Sequence, residues 1–271
     1  MKLKTILTCI YAFVCAGFVK AQAQVLDTMV NTGTYSLHFH IIKGKGLPIL
    51  FESGGGDGGA VWDGITAMLH KNLNATLITY DRPGFGKSGL DTNKVGVIND
   101  IEGLEVGLKK LGFDKRLFMV AHSLGGSYTM VFSARHPGLI KGAIFIDTST
   151  PCYVTPQKSQ EVLASYATKM DSFKRELPGV YYLLKSYAET GLRAAEAAPK
   201  AKMPITVIGS DVPPFKSSDN LAWKNCLKLF ATERYNRKYI LAKNTHHYVF
   251  LDNPQLVADE IVTLYRKVQT R

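Results

Sequence analysis

Strand-like and helix-like segments alternate along almost the whole chain, and that order leaves few architectures open. Apolar runs at residues 35–42, 48–51, 75–80, 117–121, 141–146, 203–208 and 238–242 have the length of strands. Between them, Ile101, Leu104, Leu108 and Leu111 recur at helical spacing up to the terminator Gly112, and a second helix is expected at about residues 125–135. Val257, Ile261, Leu264, Tyr265 and Val268 form a closing helical stripe opened by Asn253-Pro254. This alternation predicts an α/β fold, a mainly parallel sheet covered by helices on both faces. The stretch Lys43-Gly44-Lys45-Gly46 predicts a hairpin-like turn between the first two runs.

Residues 148–202 interrupt the pattern. They carry helix-forming stretches and no convincing strand, too many residues for an ordinary connection, and are read as an inserted helical lid. Tyr153, Tyr166, Phe173, Tyr181, Tyr182 and Tyr187 could line an apolar cleft beneath it. The stronger expectation is that most of them seal the lid onto the core, because inserted helices need a packing surface of their own.

The first residues follow a different logic. Met1-Lys2-Leu3-Lys4, an apolar run over residues 6–19 and Ala21-Gln22-Ala23-Gln24 make the tripartite pattern of a secretory signal peptide, cleaved after Ala23. Thr8, Gly17 and Lys20 break the run short of the roughly 20 residues that span a bilayer, so no stable membrane insertion is expected after cleavage. Removing residues 1–23 from 271 leaves a mature chain of 248 residues, and the loss of Lys2, Lys4 and Lys20 lowers the net charge from +11 to +8. The expected location is the periplasm or the medium. The remaining basic residues are scattered without aromatic interleaving, which gives no footprint for nucleic acid. Cys9 and Cys15 leave with the leader. Cys152 and Cys226 remain, and the sequence leaves open whether they form a bridge or two separately buried thiols.

The chemistry concentrates at Val120-Ala121-His122-Ser123-Leu124-Gly125-Gly126, where an apolar strand meets a helix through small residues at 121, 125 and 126. So tight a turn presents Ser123 above the sheet as a nucleophile elbow does; a helix N-cap is the plainer alternative for a serine there. Serine needs a base within hydrogen-bond reach to act as a nucleophile. Thr245-His246-His247-Tyr248 supplies two candidate histidines beyond the last strand, on the side where ligands gather in open α/β sheets.

Two further segments accompany these. Leu37-His38 leads through Gly44-Lys45-Gly46 and Pro48 to Phe51-Glu52-Ser53-Gly54-Gly55-Gly56, and Tyr80-Asp81-Arg82-Pro83-Gly84-Phe85-Gly86-Lys87-Ser88 follows the third run. In combination the motifs resemble the α/β-hydrolase fold superfamily, in its bacterial serine esterase-like branch, from about residue 35 to the end apart from the lid. Ala121 stands where the usual G-x-S-x-G motif has its first glycine. The resemblance implies a mainly parallel, doubly covered sheet with the lid inserted between the sixth and seventh strands, and cleavage of carboxylic esters through an acyl-enzyme. The family's spacing to the helix-opening Pro254 selects His247 as the base and leaves His246 on the surface or behind the site. The same comparison implies an oxyanion hole made by the N–H groups of Gly55 and Leu124.

For the acid the resemblance offers two positions. Asp147 ends the run at 141–146 and opens Asp147-Thr148-Ser149-Thr150-Pro151. Asp211, in Ile208-Gly209-Ser210-Asp211, is one residue short of the usual turn and runs into Val212-Pro213-Pro214. Asp147 is favoured. No cofactor and no metal are expected, and the substrate is a small ester with an apolar acyl or alcohol part. An amidase or thioesterase of the same fold, or a catalytically silent ligand-binding protein, are the alternatives. A dehalogenase would need a carboxylate at 123, and the glycine run at 54–56 lacks the Lys-Ser/Thr of a phosphate-binding loop. His38 and His40 are expected as exposed edge polarity rather than metal ligands, Asp81 and Arg82 as a structural turn, and His136 as a helix-terminal residue suited to the dipole.

Overall fold

Eight strands form one sheet in the computed structural model, which describes residues 24–215 and 217–270. The segment read as a signal peptide, with its cleavage point after Ala23, lies outside the described residues. In chain order the elements are β1 (Val25–Asn31), β2 (Ser36–Ile42), β3 (Gly46–Glu52), α1 (Asp63–Asn72), β4 (Ala75–Tyr80), α2 (Val97–Leu111), β5 (Leu117–His122), α3 (Gly125–Arg135) and β6 (Ile140–Ile146). There follow α4 (Pro156–Ser165), α5 (Met170–Glu176), α6 (Pro178–Lys185), α7 (Tyr187–Ala197), β7 (Ile205–Val212), α8 (Ser217–Thr232), β8 (Arg237–His246), α9 (Val249–Asp252) and α10 (Pro254–Val268). The spatial order is β1-β2-β4-β3-β5-β6-β7-β8, antiparallel from β1 to β4 and parallel beyond.

Burial explains the sequence pattern. β4 and β5 are buried at every residue because helices cover both faces of the sheet, so their side chains do not alternate between apolar and polar. The edge strand β1 is mostly exposed and alternates. On one face α2, α3 and α8 bring Leu104, Leu108, Phe132 and Phe230 against Phe39, Met119 and Phe145. On the other, α1 and α10 bring Ile65, Leu69, Val257 and Ile261 against Ile49, Phe118 and Ile144. Gly112 closes α2 in the left-handed conformation, φ 80°, and the Asn253 side chain caps α10 by accepting from Leu256 N.

The hairpin expected at residues 43–46 does not form. β4 lies between β2 and β3, so β3 runs parallel to β4 and β5 instead of folding back on β2. The reason is burial: Ile49, Leu50 and Phe51 are fully buried, and only an interior position in the sheet gives them that. Gly44 lies so close to the Ala75 carbonyl of the neighbouring strand that any side chain there would collide with it.

Residues 148–202 contain no strand. α4 to α7, with short 3₁₀ turns, stand between β6 and β7, and Ala194 and Ala197 of α7 join the core formed with α3. The two cysteines whose pairing the sequence leaves open are bridged: Cys152 and Cys226, with Cα atoms 5.5 Å apart, tie the segment after β6 to α8. Among the described residues no helix is long and apolar enough to cross a membrane.

Candidate active site

β5 ends at His122 and α3 begins at Gly125, leaving two residues for the turn. Ser123 takes φ 50°, a left-handed conformation that costs a residue with a side chain about 1–3 kcal/mol. Its surroundings over-determine it. Ser123 N donates to Ile146 O at 3.2 Å, and its carbonyl accepts from Ser149 N at 2.9 Å and Gly126 N at 3.1 Å. A side chain on Gly125 would meet the backbone of Glu52 and Ser53, and one on Gly126 would meet Thr148. These two positions are glycine because the chain passes too close for anything else, and the closeness is what turns Ser123 outward.

Asp147 occupies the corresponding point on the next strand. It is also left-handed, φ 43°, and fully buried. Its Oδ2 lies 2.7 Å from His247 Nδ1 and accepts from Ser210 Oγ at 2.9 Å; its Oδ1 accepts from Ser210 N and Trp223 Nε1, both at 3.0 Å. An ionised carboxylate only accepts, so Nδ1 of His247 carries the proton and Nε2 is left with its lone pair. Asp211 is half-exposed and spends its oxygens on Asn244 N at 3.4 Å and Lys224 Nζ at 3.3 Å. These two contacts, the Asn244 amide first, hold its carboxyl below the usual range. The structure thus brings Asp147, and not Asp211, to His247.

Ser123, Leu124, Gly55 and His247 open on a cavity of about 670 Å³ roofed by the insertion. Val180, Leu183 and Leu184 make apolar wall, and four of the six aromatics singled out in the sequence, Tyr153, Tyr166, Phe173 and Tyr187, face it. Both expectations hold in part: the helices of the insertion leave a gap above the elbow that these four line, and Tyr153 and Tyr187 also pack against the core. Lys158 is neutralised at the wall by Glu161 at 2.6 Å and Asp219 at 2.9 Å.

Gly54 to Gly56 follow β3 and face the elbow. Among the described residues neither Gly55 N nor Leu124 N donates a hydrogen bond within the protein, so both are available to an anion in the cavity. Behind the loop the Arg82 guanidinium is buried; Nη2 donates to Gly54 O, and Nη1 lies 3.6 Å from Glu52 Oε1. Tyr80 OH donates to Glu52 Oε2 at 2.6 Å, and the guanidinium stands 4.7 Å over the Tyr128 ring. Burial pushes Glu52 up to about 7 against the pull of Arg82 and Tyr80. A carboxyl that holds its proton more tightly folded than unfolded makes stability fall as pH rises, here from its ordinary value near 4.5 through about 7. Thermal unfolding between pH 5 and 8 should show that decline, and Glu52→Gln should flatten it; an unchanged slope in the variant would assign the decline elsewhere.

A family model described as alpha/beta hydrolase fold matches residues 48–179, which run from β3 through the elbow into the insertion. The chain belongs to the α/β-hydrolase fold superfamily. The uncharacterized protein YqjL of Bacillus subtilis is 26% identical over 225 residues, covering 82% of this chain and 85% of that protein. The 2-hydroxy-6-oxo-6-(2'-aminophenyl)hexa-2,4-dienoic acid hydrolase of Metapseudomonas resinovorans is 24% identical over 181 residues, 66% of this chain and 59% of its own length. Among solved structures, a thermophilic esterase from Thermogutta terrifontis superposes with a TM-score of 0.62 at 19% identity, covering 91% of this chain and 100% of the other.

Other residues in this α/β-hydrolase settle into supporting places. His246 is exposed and bonded to Asp252. His38 departs from the expected edge polarity: it is only 9% exposed, with Nδ1 2.9 Å from Asp81 Oδ2 and Nε2 2.8 Å from Asp27 Oδ1, because β1 covers the outer side of β2. His40, the other half of that pair, is half-exposed beside Asp27. Asp81 does act as a turn residue, accepting from Gly59 N at 2.7 Å and Lys87 N at 2.9 Å. His136 caps α3 and contacts Glu105 at 2.8 Å. Among the described residues no three His, Cys, Asp or Glu cluster so as to hold a metal.

Three residues of the site escape the sequence reading. Trp223 and Ser210 saturate Asp147, and His122 is buried with Nε2 donating to His247 O at 3.1 Å. Burial first, and then the neighbouring His247, push the His122 imidazole well below its ordinary range, so it stays neutral beside the other ring. The only available signal was that a buried tryptophan must place its N–H on an acceptor.

Proposed function

We propose that this hydrolase cleaves carboxylic esters through an acyl-enzyme on Ser123. The observation that carries the proposal is the 2.7 Å contact between His247 Nδ1 and the saturated, buried Asp147 carboxylate, with Ser123 and His247 on one cavity. In the proposed cycle His247 Nε2 takes the Ser123 Oγ proton as Oγ attacks the ester carbonyl, and the N–H groups of Gly55 and Leu124 hold the developing oxyanion. His247 then gives that proton to the leaving alcohol. Water, deprotonated by His247, attacks the acyl group and frees Ser123, which regains a proton from His247. The apolar, aromatic lining of the cavity supports an ester whose acyl or alcohol part is apolar, held by the helical lid.

Export belongs to the same proposal. It is supported by the tripartite pattern of the first 23 residues and by the Cys152–Cys226 bridge, which suits an oxidising compartment. One experiment tests both parts. Exported protein treated with a fluorophosphonate probe should show, by intact mass, a chain starting at Gln24 and carrying one phosphonyl adduct. Ser123→Ala should fold and carry none. A mass that still includes residues 1–23 would refute cleavage. Wild-type protein that takes no label and hydrolyses no ester across a range of acyl chain lengths would be a ligand-binding protein, and a higher kcat/KM on matched amides or thioesters would replace the ester as substrate.

A further inference from the structure

We infer that Arg82 is a positioning residue for the oxyanion hole, acting through the peptide between Gly54 and Gly55. The inference rests on the reading of Ser123 as nucleophile. Gly54 O and Gly55 N belong to one peptide unit, so the carbonyl that accepts from Arg82 Nη2 is the far end of the dipole whose N–H faces the cavity. A cation on the oxygen draws electron density away from the nitrogen, strengthens the N–H as a donor and fixes the peptide plane, because hydrogen bonds in series polarise one another where the dielectric is low. The same bond keeps the carbonyl from turning toward the cavity, where it would repel an oxyanion.

The rest of the guanidinium argues that this bond is its purpose. Arg82 is 2% exposed, a costly place for a charge. Among the described residues its Nε and Nη1 have no hydrogen-bond acceptor, and Glu52 Oε1 is likewise without a donor although it lies 3.6 Å from Nη1. A guanidinium placed for the ion pair would meet Glu52 through two parallel N–H bonds. Here the single hydrogen bond goes to Gly54. Glu52 stands beside the charge at 3.6 Å on one side, and the Tyr128 ring supports it at 4.7 Å from another. Burial works against the cation, but Glu52 and the neighbouring phenols and Asp100 outweigh it, and its pKa stays above the ordinary value. An arginine keeps its proton in a protein, so the polarisation does not depend on a titration of Arg82.

The test compares wild type, Arg82→Met and Arg82→Lys in the full mature chain. Three readouts are taken: ester kcat and KM, the extent of fluorophosphonate labelling, and Ki for an alkyl trifluoromethyl ketone, which adds to a nucleophilic serine as an oxyanion hemiketal. Loss of a charge-assisted bond behind the donor should lower kcat by about 10- to 100-fold in Arg82→Met, raise Ki by the same factor, and leave KM and the final extent of labelling unchanged. Arg82→Lys, which keeps the charge without the fork, should recover part of both losses. A residue that merely stiffened the loop would lower labelling or raise KM; either result, or a fall in kcat with Ki unmoved, overturns the inference. If Arg82→Met does not fold, Arg82→Lys carries the test, and an unchanged Ki there beside a lowered kcat is equally fatal. An unlabelled, inactive wild type would remove the reading of Ser123 and this inference with it, whereas a labelled, active wild type matched by Arg82→Met removes only the inference.

Discussion

Asp147→Asn is expected to lower kcat on the preferred ester by about 10⁴-fold while the protein stays folded, and Asp211→Asn to cost only a few-fold. The size follows from the donors around residue 147. Ser210 N and Trp223 Nε1 both donate to Oδ1, so an asparagine would keep its one oxygen there and turn its NH₂ toward His247 and the Ser210 hydroxyl, which can accept. That NH₂ would force Nδ1 of His247 to accept, move the imidazole proton to Nε2, and remove the lone pair that must take the serine proton. The fold should tolerate the exchange, since asparagine accepts the left-handed backbone at φ 43° and keeps the shape of the buried group. Among the described residues Asp211 bonds only to Lys224 and Asn244, and removing its charge leaves His247 untouched. Rates for both variants, beside circular dichroism, check the assignment. An active Asp147→Asn with a nearly dead Asp211→Asn would sink it and would leave Ser123 and His247 in place.

What the sequence could show divides along chain distance. The elbow was legible because strand, serine and glycines are contiguous, and the crowding that demands Gly125 and Gly126 follows from the same turn. The preference for Asp147 was legible because a strand end fixes a side chain more firmly than a turn shortened by prolines. Its partners were not. Ser210 and Trp223 lie 63 and 76 residues away in sequence, and only the parallel pairing of β6 with β7 and the docking of α8 bring them in. The failed hairpin has the same origin: glycines at 44 and 46 look like a turn, but strand pairing is decided by which apolar segments take the sheet interior. β1 was missed because an exposed edge strand carries little apolar signal, and covering His38 was its consequence. Arg82 reads as part of a structural turn because nothing in Asp81-Arg82-Pro83-Gly84 shows that the guanidinium points at the peptide of Gly54.

The second large effect is on stability. Replacing both bridged cysteines, Cys152→Ser with Cys226→Ala, should lower the unfolding free energy by about 4 kcal/mol, the chain entropy regained when a loop of that length is opened. The bridge closes a sequence separation of 74 residues that contains the whole helical insertion and β7, so the unfolded chain gains much freedom without it. For a domain of this size the loss corresponds to a fall of roughly 10 °C in Tm, measured by calorimetry on oxidised wild type and the double variant. Catalysis should suffer much less. Cys226 and Trp223 lie three residues apart on one face of α8, so the bridge anchors the helix that holds Asp147 Oδ1, but Tyr153 packs edge-on to Trp223 at 4.8 Å and Ser210 keeps two bonds to the carboxylate. A Tm within about 2 °C of wild type would mean that the unfolded chain is already held compact by other contacts and that the entropy argument fails here. A drop in kcat as large as that of Asp147→Asn would mean that α8 swings free without its bridge, making the disulfide part of the machinery that orients the acid and tying activity directly to the redox state of the compartment.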